Sequence, residues 1–141
     1  MTQVKILVID DDEGMIELLQ LLLAPASSEI ITTSSGQEGI ELVKKHAPDV
    51  IILDLMMPEM DGWAVCQTIR ESSDAPILVL SAIESPGLVA QALDAGADDY
   101  LAKPVSSSTL IARLNRLVQR SKKVDLFKPT FPSSHANRPR L

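Results

Sequence analysis

Several acids of this chain stand where an apolar run stops. Asp54 follows Ile51-Ile52-Leu53, and a stretch punctuated by Pro58 and Gly62 comes after it. Asp10, Asp11 and Asp12 follow Ile6-Leu7-Val8-Ile9. Ser81 follows Ile77 to Leu80, and Lys103, with Pro104 behind it, follows Tyr100-Leu101-Ala102. An aspartate can act as a nucleophile and form an acyl phosphate. Crowded carboxylates repel one another, and a hard divalent cation such as Mg2+, which prefers oxygen ligands, relieves the repulsion. A lysine supplies a point charge to a phosphate oxygen, and a serine hydroxyl can donate to another. Three carboxylates and one ammonium at one edge of a sheet therefore form a site for a divalent metal and a phosphoryl group. The run Asp10-Asp11-Asp12 also fits a helix N-cap with favourable dipole charge, and for Asp12 that reading is preferred. Lys103 has the alternative of a surface lysine, and Ser81 that of a hydroxyl capping the next turn.

The elements that must position these groups follow from periodicity. Apolar runs alternate with helical patterns, which reads as βα units around a parallel sheet. Strands are expected at Val4–Ile9, Glu29–Thr33, Asp49–Leu53, Ile77–Leu80 and Asp99–Ala102. The second is more polar and suits an edge. Met15, Leu18, Leu19, Leu22 and Leu23 recur at helical spacing, with Pro25 as the stop. Further helices are expected from Ser35 or Gly36 to about His46, Asp61 to about Ser72, Pro86 to Ala95 and Ser106 to about Arg120. Gly96 reads as the C-cap of the fourth. The last turns Leu110, Leu114, Leu117 and Val118 inward. The fold class is α/β, a doubly wound five-stranded parallel sheet of order 2-1-3-4-5, flavodoxin-like. Such sheets bind ligands beyond the carboxyl ends of the strands, at the switch point between strands one and three. Asp10, Asp11 and Asp54 end those two strands.

Composition sets limits. At 141 residues and 45% hydrophobic, the chain is one domain able to bury a core. Aromatics are 3%, and Phe127 and Phe131 lie near the end, so the core is aliphatic. Cys66 stands alone, which excludes an internal disulfide and fits a reducing cytosol; it reads as a small apolar residue on a helix. No apolar run reaches the roughly 18 residues of a membrane span. The N-terminus enters a strand at once, which leaves no room for a signal peptide. Residues 121–141 carry five basic residues and one acid, net +4, and three prolines, and read as a tail or linker. The remaining eight basic and 18 acidic residues leave the body at −10, against direct nucleic-acid binding by this domain. His46 and His135 belong to no metal-ligand spacing.

Asp10-Asp11, Asp54, Ser81 and Lys103-Pro104 occur in the order and at the gaps of one family. From about residue 3 to residue 120 the chain resembles the receiver domain of bacterial two-component response regulators. The resemblance implies a CheY-like domain over residues 1–120, with 121–141 either the tail of a stand-alone receiver or a linker to an output domain, the second being favoured. It implies that Asp54 is the phosphoacceptor, taking its phosphoryl group from a histidine kinase or histidine phosphotransfer protein. Asp11 would ligate Mg2+ directly, Asp10 mainly through water, and the backbone carbonyl of Met56 would add a ligand. Ser81 and Tyr100 would form the switch, the tyrosine lying outward before phosphorylation. From the sequence alone, Tyr100 reads as a half-buried strand residue. The Lys103–Pro104 bond would be cis, and Gly62 would supply a backbone geometry that other residues resist. The protein would be a cytoplasmic signalling switch rather than an enzyme.

Two further readings belong to other classes. A haloacid-dehalogenase-like phosphatase also uses a strand-end aspartate and Mg2+, but wants an acid where Met56 stands. A pseudo-receiver acting as a dimerisation module would lack part of the acid–lysine set, and this chain has all of it. The run Gly96 to Leu101, with Arg113, resembles the fourth helix–fifth strand–fifth helix dimer face of winged-helix regulators. Asp99 and Arg113 match that network, whereas Thr109 stands in place of an acid.

Overall fold

The computed structural model describes residues 4–24, 29–58 and 60–122. Pro25 and residues 123–141, which make up nearly all of the expected tail, lie outside them. In chain order the elements are β1 (Lys5–Ile9), α1 (Glu13–Leu23), β2 (Glu29–Thr33), α2 (Gly36–His46) and β3 (Val50–Leu53). A two-residue hairpin follows (Met56–Met57 with Met60–Asp61), then α3 (Gly62–Arg70), β4 (Ile77–Ser81), α4 (Pro86–Asp94), β5 (Asp99–Ala102) and α5 (Ser107–Lys122). The five longer strands form one parallel sheet of order β2-β1-β3-β4-β5.

Side chains alternate across each strand, so the sheet divides the interior in two. Ile6, Val8, Ile52 and Leu80 pack with Leu19 of α1 and Leu114 of α5. Leu7, Ile9, Ile51 and Val79 pack with Val65 of α3 and Ala92 of α4. Both layers are aliphatic; among the described residues only Trp63 and Tyr100 bring aromatic rings, at the margin of the second.

Boundaries differ from the expected ones for local reasons. β3 begins at Val50, because the Asp49 carboxylate turns back to accept the Lys5 N–H at 2.8 Å. The hairpin after Asp54 pairs two residues with two, too few for any periodic signal. In α1, Leu19 and Leu23 are buried while Leu18 lies exposed. α4 ends in a Schellman motif: Ala97 N–H bonds Ala92 O, Gly96 N–H bonds Leu93 O, and Gly96 sits at φ 118°.

Arg70, at the end of α3, fastens the sheet edge opposite Asp54. Its guanidinium donates to the carbonyls of Gly96, Ser73 and Ala75 and to Asp98 Oδ2 at 2.6 Å. The same Asp98 oxygen accepts the Ile77 N–H. Replacing Arg70 by alanine takes the donor from three carbonyls and leaves Asp98 with only the Ile77 N–H and the more distant Arg120, at a site where Arg70 is 22% exposed. The expected loss is about 2–3 kcal/mol, a fall of roughly 10 °C in the unfolding midpoint. A midpoint within 2 °C or so of the native value, read by thermal circular dichroism, would show the cluster to be ornamental.

Cys66 is fully buried in α3, and burial pushes its thiol up to about 11. At pH 8 the thiol stays protonated and shielded. A disulfide-exchange reagent is therefore expected to leave the native protein unlabelled and to label it rapidly in denaturant. Fast stoichiometric labelling of the native protein would contradict this burial.

Candidate functional site

The parallel register Ile9↔Leu53 sets the next residues, Asp10 and Asp54, side by side. Asp54 N–H donates to Ile9 O at 3.0 Å. On the other side of the sheet's switch point, Ser81 pairs with Ala102, and Lys103 N–H donates to Ser81 O at 2.8 Å. Strand register alone thus brings the four residues together. Asp10 and Asp54 are buried and Asp11 is exposed; one carboxylate oxygen from each lies within 4.8 Å of the others. Lys103 Nζ lies 3.1 Å from Asp10 Oδ2 and 3.4 Å from Asp54 Oδ2.

Backbone donors hold the acids in place. Asp10 Oδ1 accepts Asp12 N–H at 2.9 Å, and Asp54 Oδ1 accepts Met56 N–H at 3.0 Å. Asp12 turns away and caps α1, accepting Met15 N–H at 3.2 Å. Burial pushes the Asp10 carboxyl above the usual carboxylate range, opposed by the Asp12 N–H and by Lys103. Burial also works against the Lys103 ammonium, but the neighbouring Asp10 and Asp54 outweigh it and hold the lysine above its ordinary value. One ammonium faces three carboxylates, and all the free donors are oxygen. That donor set fits a hard divalent cation of the Mg2+ type.

Ser81 is fully buried. Tyr100 lies turned in: its hydroxyl donates to the Ile83 carbonyl, beside Ser81. This differs from the outward placement that the resemblance implies. Partial burial raises the Tyr100 phenol above its usual range, the Ser81 hydroxyl opposing and the charges of Asp54 and Glu84 adding to it. Met56 opens the hairpin and is 58% exposed. The Lys103–Pro104 bond is cis.

Gly62 corrects an expectation. Its backbone is not in the left-handed region; what it supplies is room. A Cβ there would lie 2.5 Å from Leu55 Cα and 2.9 Å from Leu55 O, so the start of α3 rests on the backbone next to Asp54. Two features escaped the sequence reading. A cleft of about 1070 Å³ runs from Asp11 past Thr33, Ser35, Pro58 and Met60. Trp63 Nε1–H donates to Leu88 O at 3.3 Å and ties α3 to α4. Neither leaves a motif, since both depend on how loops approach one another.

On the β5–α5 side, Asp99 holds Arg113 through both carboxylate oxygens, at 2.9 and 2.8 Å, and Arg116 at 3.1 Å. Thr109 carries no charge into this network; its N–H donates to Ser106 Oγ, and its hydroxyl oxygen accepts from the Ser106 hydroxyl. Among the described residues no helix is long and apolar enough to cross a membrane.

Comparison with known proteins agrees on one family. The family model for the response regulator receiver domain matches residues 6–115. The chain is 39% identical over 122 residues to the transcriptional regulator ycf27 of Guillardia theta, covering 86% of this chain and 48% of that protein. It is 41% identical over 119 residues to the response regulator MprA of Mycolicibacterium vanbaalenii, covering 84% and 52%. The crystal structure of a two-component response regulator from Clostridium difficile superposes with TM-score 0.81 at 30% identity, covering 85% of this chain and 99% of that one. The chain spans about half the length of the curated relatives it matches.

Proposed function

The chain belongs to the response regulator receiver domain family, and from that premise we propose that Asp54 is the phosphoacceptor of a switch loaded by a histidine kinase or histidine phosphotransfer protein. The observation that carries this reading is the buried Asp10–Asp54–Lys103 cluster at the carboxyl ends of β1, β3 and β5. A carboxylate oxygen of Asp54 attacks phosphorus as the donor's nitrogen–phosphorus bond breaks; the imidazole leaves and an acyl phosphate forms. Lys103 offers its ammonium to a phosphoryl oxygen, and the Ser81 hydroxyl donates to another. Asp10, Asp11 and Asp54, with the Met56 carbonyl, would hold Mg2+, which when bound offsets their charge and polarises the phosphoryl group.

Receiver domains are signalling proteins rather than classical enzymes. A cytoplasmic place fits the free thiol of Cys66. Relatives such as ycf27 and the transcriptional regulatory protein AfsQ1 of Streptomyces coelicolor are named as regulators of transcription, which supports a receiver, spanning about residues 1–120 and followed by a linker, that governs a DNA-binding output without binding nucleic acid itself. The phosphatase reading is disfavoured because the exposed Met56 stands where a second acid is needed. The direct test is incubation with acetyl phosphate or phosphoramidate and Mg2+. One phosphoryl group is expected, mapped by mass to Asp54 and suppressed by EDTA. Stoichiometric labelling elsewhere would overturn the assignment.

Self-association through α4, β5 and α5 is part of the proposal. Leu88 and Leu93 are exposed on α4, beside the charged Asp99–Arg113–Arg116 group. Beryllofluoride, a phosphoryl analogue, is expected to raise the apparent mass in solution toward a dimer. Arg113→Glu is expected to restore the monomer. A loaded protein that stays monomeric at high concentration removes self-association and leaves the phosphoacceptor reading intact.

A further inference from the structure

The loop after Asp54 reaches α4 by a path that involves neither Ser81 nor Tyr100. Leu55, next to Asp54, is in backbone contact with Gly62. Trp63 follows Gly62, in the first turn of α3, where the Asp61 carboxylate accepts its N–H at 3.0 Å. The Trp63 indole then donates to the Leu88 carbonyl in the first turn of α4, at 3.3 Å. The first two links run along the backbone and the third is a hydrogen bond of 3.3 Å. Displacement at Asp54 therefore has a continuous path to the indole.

α4 is the helix best suited to answer such a pull. Ser85 stands at its N-cap with no side-chain cap bond, Gly87 lies in its first turn, and no acid there favours the dipole. Ala92 is its one buried residue, and Leu88 and Leu93 lie exposed. A space of about 310 Å³, lined by Trp63, Gln67 and Gln91, separates it from α3. With so little burial, a single bond from Trp63 is a large share of what holds its first turn.

We propose that Trp63 is a positioning residue of the switch, carrying displacement of the Asp54 loop to α4 through the Leu88 carbonyl, in parallel with the Ser81–Ile83–Tyr100 route. The inference rests on the reading of Asp54 as phosphoacceptor. Coupling of this kind needs two states that both sites bias, and the helix is poised for them.

The test uses the full 141-residue chain, with amide hydrogen exchange followed in α4, with and without beryllofluoride and Mg2+. Fluorine NMR reports loading independently. In the native protein, loading is expected to change α4 exchange and to shift the emission of Trp63, the sole tryptophan. Trp63→Phe keeps a ring and loses the N–H. It is expected to speed exchange in α4 of the unloaded chain about fivefold, the effect of one ordinary hydrogen bond. It is also expected to shrink the ratio between loaded and unloaded rates. Tyr100→Phe is expected to leave part of that ratio, and the double variant none. If loading changes α4 equally in the native and Trp63→Phe proteins, in both Tyr100 backgrounds, Trp63 merely packs and the proposal is wrong. A native protein that takes up no beryllofluoride overturns the Asp54 reading, and this inference with it.

Discussion

A protein carrying Asp54→Asn takes up no phosphoryl group from acetyl phosphate under conditions that label the native protein fully. Asparagine matches aspartate in shape, and its Oδ1 can still accept the Met56 N–H that Asp54 accepts at 3.0 Å. The fold is therefore kept. What goes is the charge that makes an oxygen nucleophilic. The pocket also loses one of the carboxylates that crowd Lys103, leaving Asp10 as its sole buried acid partner. Removing a like charge from a buried cluster relieves repulsion, so the variant is expected to unfold at the native temperature or above it. Loss of labelling with a native circular dichroism spectrum is the expected pair of results. Full labelling of the variant at another side chain would move the chemistry away from Asp54.

The second large effect concerns how long the phosphoryl group stays. Hydrolysis needs a water in line with the Asp54–phosphorus bond, and in this family the residues two beyond the phosphoacceptor and two beyond the switch hydroxyl flank that approach. Here they are Met56 and Ile83. Met56 stands exposed beside Asp54. Ile83 is fixed by its carbonyl, which accepts the Tyr100 hydroxyl. Neither side chain can orient a water by hydrogen bonding. Once the donor is removed, the native protein is expected to hold its phosphoryl group at least about tenfold longer than Met56→Asn/Ile83→Glu. Placed acid–base groups are commonly worth more than that. The decay is followed by phosphoprotein electrophoresis with Mg2+ present. An equal or longer lifetime in the double variant would show that loop motion, not these two side chains, admits the water.

Much of this arrangement is legible in the sequence because two rules act locally. Unbroken apolar runs mark strands covered on both faces, and parallel register then places the residue after each run at a common edge. Asp10, Asp54 and Lys103 meet for that reason alone. Asp12 reads as a helix cap because its spacing to Met15 is local too. Other features depend on distances between loops. The hairpin at Met56–Asp61 is too short to leave a pattern. The orientation of Tyr100 depends on an Ile83 carbonyl 17 residues away in sequence. For Gly62 the residue type points to a special requirement, but only the approach of Leu55 shows that the requirement is space.

The division of the interior by the sheet bears on how such a domain is wired to anything else. Ile83, Tyr100, Trp63 and Met57, in the loop after Asp54, all belong to the layer of α3 and α4. The layer of α1 and α5 contains none of them. α5 thus packs on the layer opposite to the loop that follows Asp54. On the reading of Asp54 as phosphoacceptor, the signal is expected to leave sideways, by what the surface of α4 and β5 touches, rather than as tension along the backbone. A change in linker length is then expected to leave the signal in tune, so long as an output module can reach that surface.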